Sequence, residues 1–566
     1  MSATTDKIWY IPDSVPTEIS EVLKEYPYFL RQVLYNRGIC DLQAAEDFLN
    51  AKTDSNDPYG LKDMDLTIQR LSTAIDRGEY IAVYGDYDVD GVTATALMVQ
   101  VLQKLGARVR EYIPNRFDEG YGVNNEAIDS LAADGVKLII TVDCGIRSPN
   151  EVEYAKTLGV DMIISDHHFP REKTPNAVAV ICHKQSGDLY PDKNLAGVGL
   201  AYKVAQALIA ARGNSGLVVE DWLDLVAVGT VADVVPLTGE NRKLVKTGLA
   251  LLRMGRRPGL LSLANVAGLD ISRLNATDIG FGIGPRLNAA GRLDSALKAF
   301  SLLMAEDVET AAILSQELDD QNRERQQITQ QIQQEAENFI ESEPEENRQF
   351  LLFSVGEFNP GVVGLAAAKL SEMYYRPAIV GHSESGFIRA SCRSIPEFHI
   401  TRALDECADL LVKHGGHAMA AGFTVAEENL DELIAKLRSI ATRELGEKDL
   451  KPVLRADVVL PLSNLKPAYF KDLDRLQPTG EGNPEVVFVS RKLKVLYQKT
   501  VGKDSTHLKL TVTDGTITYN GIAFRQGHWA KALPEFIDIM YTFEINRYNG
   551  NEYLQLNIKD IKPSSI

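Results

Sequence analysis

The chain has 566 residues, 45% of them hydrophobic and 24% charged, with a formal net charge of −18. Its length exceeds what one core can organise, so several domains are expected, and no apolar run is long enough to span a membrane. The acidity weighs against a generally polyanion-binding surface, but bulk charge governs solubility and steering, and a local groove can still be positive. The opening stretch MSATTDKIWYIPDS lacks a basic region followed by an apolar one, and the five cysteines are scattered without a CxxC pair. Both features predict a cytoplasmic, reducing location and no structural zinc.

From about residue 78 to 182, short apolar runs alternate with helical ones: YIAVYGD, then VTATALMVQVLQKLG; KLIITVDCG, then NEVEYAKTLG; VDMIISDHH, then AVAVI. Strand runs that are apolar on both faces, with crossover helices between them, predict a parallel α/β sheet. Residues 195–300 read as mainly helical. Residues 306–342 hold no Gly or Pro and predict one polar helix of roughly 50 Å, a strut between domains rather than a binding element. The acidic ESEPEENR reads as a linker, and a second α/β module follows from about 349 to 447. Residues 453–566 alternate with period two between turn residues, which predicts a small all-β barrel or sandwich.

GDYDVDG sets Asp86, Asp88 and Asp90 at i, i+2 and i+4, on one face of an extended backbone and at the carboxyl end of the first parallel strand. An acidic surface turn would explain them blandly. A calcium loop would match the first six positions, but its twelfth is Leu97 instead of Glu and the preceding segment is strand-like. Two more strands end in the same chemistry, at Asp143 and at Asp166-His167-His168, and the apolar LVAVGTVADVVPL carries Asp233. Carboxylates and imidazoles without thiolates suit a pair of Mn²⁺ or Mg²⁺ ions better than Zn²⁺.

DYDVDG, TVDCG, SDHH and GTVADVVPL resemble the four metal motifs of the DHH phosphoesterase superfamily, and GGHAMAAGF resembles the motif of its companion DHHA1 domain. With GPRLNAAGRL and LQPTGEGNPEVVF, the chain resembles the branch of that superfamily that degrades single-stranded DNA. The resemblance implies an N-terminal segment (1–49) packed on a parallel-sheet DHH catalytic domain (50–305). A connecting helix and linker (306–345), an α/β DHHA1 domain (346–447) and an oligonucleotide-binding (OB-fold) barrel (453–566) would follow. It implies metal ligands at Asp88, Asp90, Asp143, His167 and Asp233, with Asp143 the expected bridge. Asp86 and Asp166 would be orienting acids, and His168 would stand beside the scissile phosphate. Arg286, Asn288 and Arg292 fall on its substrate loop, and Arg393, Gly415, Gly416 and His417 on its companion-domain phosphate site. The activity implied is a metal-dependent 5′→3′ exonuclease releasing 5′-mononucleotides in recombination and repair. The protein would be a monomer, partnered by a single-strand-binding protein and a RecQ-type helicase.

Within the β region, Lys509, Arg525, Trp529, Arg547 and Tyr548 mix cations with aromatics as single-strand-binding barrels do, though ordinary barrel packing explains them equally well. Two departures from the family pattern bear on substrate contacts and not on metal motifs: Asn359 in FNPGVVG stands where a histidine is common, and Cys182-His183 stands where Asn-Pro is usual. Two alternatives remain open at this level. A nanoRNase or cyclic-dinucleotide phosphodiesterase would be shorter and lack residues 453–566. A non-catalytic replication scaffold would have lost metal-site residues, and all are present here.

Overall fold

The computed structural model describes residues 6–564 except 53–55, 117, 118, 121, 172, 214, 549 and 550; the side chains of 503, 547, 548 and 551 are also outside the described set. The chain divides into two compact units. One gathers residues 53–450 with 478–483, the other residues 4–52, 451–477 and 484–566.

The first unit begins its sheet with β1 (Tyr80–Gly85), which feeds α1 (Val89–Lys104) and β2 (Arg108–Tyr112). Helix α2 (Asn125–Ala133) leads to β3 (Val136–Val142), α3 (Pro149–Thr157), β4 (Asp161–Ser165) and β5 (Ala179–Ile181). The strands are all parallel, in the order β2-β1-β3-β4-β5. Ile81, Val83, Leu138 and Ile140 face one core with α1, and Ala82, Tyr84, Ile139 and Ile164 face the other with α2 and α3. Burial on both faces explains why these strands read as unbroken apolar runs. The helices α4 (Gly197–Arg212) and α5 (Leu223–Ala232) complete the first face, followed by α6 (Gly284–Leu293).

The predicted long helix is α7 (Val308–Ser342), 35 residues, opened by Asp307, whose carboxylate accepts from the Thr310 N–H. It is more than a strut. Ile332, Ala336 and Ile340 share a core with the second α/β module, and the polar Ser315, Asp319, Asn322 and Thr329 are buried along it. Part of the expected acidic linker is a short helix, Glu345–Arg348. The module itself contains β6 (Leu352–Gly356), α8 (Val363–Tyr374), β7 (Ala378–Glu384), β8 (Phe387–Arg393), β9 (Leu411–Gly416) and β10 (Ala420–Ala426). Its sheet runs β9-β10-β8-β7-β6, with only β6 and β7 parallel.

In the second unit, β11 (Phe488–Val501), β12 (His507–Thr513), β13 (Thr518–Ala523), β14 (Phe536–Tyr548) and β15 (Asn551–Pro563) form a barrel. Its order is β11-β12-β13-β15-β14, and pairing of β11 with β14 closes it. The N-terminal segment departs from expectation: it belongs to this unit, not to the parallel-sheet domain. Ile8–Tyr10 pairs in parallel with Val453–Arg455, and Phe29 lies 4.3 Å from the Tyr469 ring and 6.0 Å from Phe488. The reason is amphipathicity. Helices Tyr28–Asn36 and Leu42–Asn50 bury Leu30, Val33, Leu34, Ala45 and Leu49 in the same core as barrel residues Leu493, Leu508 and Tyr541.

Candidate metal centre and nucleic-acid interface

Three adjacent parallel strands deliver their next residues to one place. β1 runs into Asp86, β3 into Asp143 and β4 into Asp166-His167-His168. Asp88 caps α1 by accepting from the Asp90 and Gly91 N–H groups (2.9 and 3.2 Å). Asp90 accepts from the Gly197 and Val198 N–H groups (2.6 and 2.8 Å) at the start of α4, a placement the positive helix N-terminus favours. Gly197 is required there: a Cβ would stand 2.6 Å from the Asp143 Cβ and Oδ1. Asp143 itself has φ 64°, a left-handed backbone uncommon for a residue with a side chain.

His167 Nε2 lies 3.2 Å from an Asp143 carboxylate oxygen, 3.5 Å from Asp233 and 3.9 Å from Asp90. Three groups each bring ligand atoms within 4.8 Å of one another: Asp86-Asp88-Asp143, Asp143-His167-His168 and Asp90-His167-Asp233. Asp143 and His167 each belong to two of them, which suits a position between two ions. Asp233 is the C-cap of α5, at the negative end of a helix dipole, where a carboxylate needs a compensating cation.

The electrostatics point the same way. Burial, then repulsion from Asp88, pushes Asp90 up to about 7 and holds Asp86 well above the carboxylate range. Burial and the charge of Asp90 lead in raising Asp143 well above that range and Asp233 to about 9. Burial, then His168, lowers His167 to about 3, so its ring is neutral and offers a lone pair. Asp86 Oδ1, Asp143 Oδ1, Asp233 Oδ2 and both His167 nitrogens are buried without hydrogen-bond partners. Such orphaned oxygen and imidazole donors fit hard divalent cations, which would replace the protons that repulsion otherwise forces onto these acids.

Asp166 has a different task. It accepts from the Ile146 N–H and from the His168 N–H and Nδ1 (2.9, 3.0 and 2.7 Å). Burial disfavours charge on both partners, but the hydrogen bond between them outweighs it: Asp166 lies below its usual range and His168 above.

The predicted substrate residues divide. Arg292 on α6 donates to the Gly361 carbonyl (3.3 Å) and lies among other guanidinium groups. Burial, then Arg116 and Arg325, lowers it to about 10, while Asp88 and Tyr87 act in the opposite sense. Arg393 is lowered by burial, with Arg116 acting in the same direction. Arg116 sits 5.1 Å over the Tyr87 ring. Asn288, Arg292 and Arg325 line a cavity of about 420 Å³ that also touches Val234, the neighbour of Asp233, and Thr479, Gly480 and Glu481. Arg286, by contrast, is committed to structure: Nε donates to the buried Asp319 of α7 (2.8 Å) and Nη1 to the Gly282 carbonyl (2.8 Å).

Gly415 and Gly416 lie in β9, not in a loop, and the exposed His417 closes the hairpin with Ala420. No described hydrogen bond joins His417 to the carboxylate centre. Asn359 Oδ1 accepts from the Gly361 N–H (2.9 Å), a turn that leads into α8. In the barrel, Lys509 and Arg525 are exposed, whereas Trp529 packs against the core; Arg547 and Tyr548 have side chains outside the described set. Arg116 and Arg325 were missed by the sequence reading. Arg116 follows β2 in the mixed-charge IPNRFDEG, and Arg325 is one polar residue among many on the long helix, so no pattern signals either.

The chain matches the DHH family N-terminal domain over residues 80–230, the DHHA1 domain over 347–443 and the RecJ OB domain over 456–560. It is 39% identical over 533 residues to the single-stranded-DNA-specific exonuclease RecJ of Bacillus subtilis strain 168, covering 93% of this chain and 67% of that protein. It is 35% identical over 572 residues to the protein of the same name from Dickeya dadantii, covering 97% and 98%. The crystal structure of RecJ in complex with Mn²⁺ from Thermus thermophilus superposes with a TM-score of 0.85 at 30% identity, covering 99% of this chain and 80% of that one.

Proposed function

From the premise that this chain belongs to the RecJ family of single-stranded-DNA-specific exonucleases, we propose that it removes 5′-mononucleotides stepwise from the 5′ end of single-stranded DNA. It is a metal-dependent DHH phosphoesterase with an OB barrel. The observation that carries the reading is the convergence of Asp86, Asp88, Asp90, Asp143 and His167, which follow three parallel strands, with Asp233 at the end of α5, and the orphaned ligand atoms among them.

Asp88, Asp90, Asp143, His167 and Asp233 would hold two divalent cations, Mn²⁺ or Mg²⁺, while Asp86 flanks them. When bound, the cations supply the positive charge that acidifies water and neutralises charge developing on a phosphodiester. The chain's own residues do the rest. The α4 amides hold Asp90 in place, and Asp166 fixes the His168 ring through Nδ1 and favours its protonated form. The proton that His168 can present to a phosphate oxygen is therefore the one on Nε2. Arg116, Arg292, Arg325 and Arg393 suit a phosphorylated end: a terminal phosphate carries nearly two charges where an internal diester carries one, so clustered guanidiniums favour it. That this end is the 5′ one follows from the family resemblance.

Single-stranded oligonucleotides labelled at either end, with Mn²⁺ or EDTA, test this. Release of labelled mononucleotide from the 5′ end first, dependent on metal and faster with a 5′-phosphate than a 5′-hydroxyl, is expected. Release from the 3′ end first would overturn the polarity. Recombination and repair in the cytoplasm, a monomeric state, a single-strand-binding protein and a RecQ-type helicase complete the proposal by family resemblance. Among the described residues no helix is long and apolar enough to cross a membrane.

A further inference from the structure

The turn after β5 carries chemistry that no motif absorbs. Ile181 pairs with Ser165, so the two parallel strands leave the sheet together, with His168 three residues beyond one partner and Lys184 three beyond the other. Cys182 Sγ donates to the His168 carbonyl (3.5 Å), tying the two turns. His183 is fully buried, whereas Lys184 is half-buried and its ammonium lies 4.8 Å from the Phe169 ring centroid. Phe169 is 64% exposed, an unusual position for a large apolar ring.

The loop is braced by Arg147, whose Nε donates to the Phe169 carbonyl (3.0 Å). Net positive charge continues from there, because Arg147, Arg171 and Lys173 border a neighbouring hollow of about 560 Å³ with Glu151 as its one acidic lining residue. Burial holds Lys184 below the usual lysine range, with Cys182, Asp233 and Asp166 acting the other way, and among the described residues no carboxylate is within ion-pairing distance of it. A solvated surface lysine would not need a ring beneath it. An ammonium held over an aromatic face, at the edge of a phosphodiesterase centre in an acidic protein, is placed for an anion that arrives from outside.

We propose that Lys184, steadied by Phe169, contacts a backbone phosphate of the single strand at the rim of the metal centre. The assignment rests on the exonuclease reading and adds a substrate contact to it. The experiment uses the full chain as wild type, Lys184→Gln, Lys184→Arg and Phe169→Leu, with a 5′-phosphorylated single-stranded oligonucleotide over 25–200 mM salt. Lys184→Gln is expected to raise KM about tenfold with bound Mn²⁺ unchanged, and to reduce the slope of log KM against log salt by about 0.7. Lys184→Arg should restore the slope and most of the affinity, and Phe169→Leu should fall between. An unchanged KM and slope in Lys184→Gln, or loss of bound Mn²⁺, would overturn the assignment. Wild-type turnover in the same assay tests the exonuclease reading separately. Should the wild type leave single strands intact, strand binding followed by fluorescence anisotropy across the same salt range still decides Lys184 by its slope.

Discussion

Asp143 stands at φ 64° with its carboxylate against His167 and its backbone N–H donating to Ser165. A non-glycine residue in that region costs about 1–3 kcal/mol unless its surroundings enforce it. Asp143→Ala is expected to cut turnover more than tenfold, over ~1.4 kcal/mol of barrier, without loss of the circular dichroism of the folded state. The same variant should lose the thermal stabilisation that saturating Mn²⁺ gives the wild type, about 2.7 kcal/mol at a hundredfold excess over Kd, as read by scanning fluorimetry with Mn²⁺ or EDTA. His168→Ala should slow turnover while equilibrium dialysis still finds the wild-type metal stoichiometry, because its Nδ1 is engaged by Asp166 although its ring stands beside Asp143 and His167. The acids were legible in the sequence because a strand's carboxyl end fixes where the next residue goes. The arginines were not. Arg286 and Arg292 look like neighbours in a loop, but six residues on a helix turn through ~600°, which sets them on different faces. Asn288 and Arg292, four apart, share the face that lines the cavity.

At the scale of elements, the start of α4 holds the centre together, since two of its amides carry Asp90 and its first residue makes room for Asp143. Gly197→Ala should therefore weaken Mn²⁺ affinity and slow turnover roughly tenfold or more, measured by metal titration and initial rates, although alanine is ordinarily the better helix former. The α6–α7 contact makes the opposite kind of prediction. Arg286→Ala leaves the buried Asp319 with Arg323 as its remaining ion-pair partner and should cost roughly 1–3 kcal/mol of stability. Denaturant midpoints should fall while KM at low temperature holds. Of these two helices only α7 was legible in the sequence, as a long run without Gly or Pro, whereas the residues of α6 read as a loop. What α7 does was not, because its buried face is partly polar and a hydrophobic pattern cannot find Asn322 or Arg325.

For the molecule as a whole, three α/β and β modules in the right order were readable, and the barrel's alternating strands fell where period two put them. The N-terminal segment went astray because an amphipathic face reports that it needs a cover, not which one. Removing residues 453–566 alone would strip the cover from Phe29, Leu30, Val33 and Leu34, and would also remove Pro478–Asn483 from the first unit. Point variants are the cleaner probe of the barrel. Lys509→Ala with Phe524→Ala, both at exposed positions, should weaken binding of long oligonucleotides by about 1–3 kcal/mol and leave trinucleotide turnover nearly unchanged; equal effects on both lengths would assign the patch another role.

The pairing of Ile8–Tyr10 with Val453–Arg455 also sets a schedule. The first apolar helices leave the ribosome about 440 residues before their partners do, a wait of roughly 20–90 s at about 5–20 residues per second. During that interval Phe29 and Leu34 lack their native neighbours in the barrel core, so the nascent chain carries an uncovered apolar face of the kind that is prone to aggregate. A message truncated before the last domain is expected to yield a product whose first fifty residues keep Phe29, Leu30, Val33 and Leu34 without their barrel neighbours, an exposed apolar face that the finished chain buries.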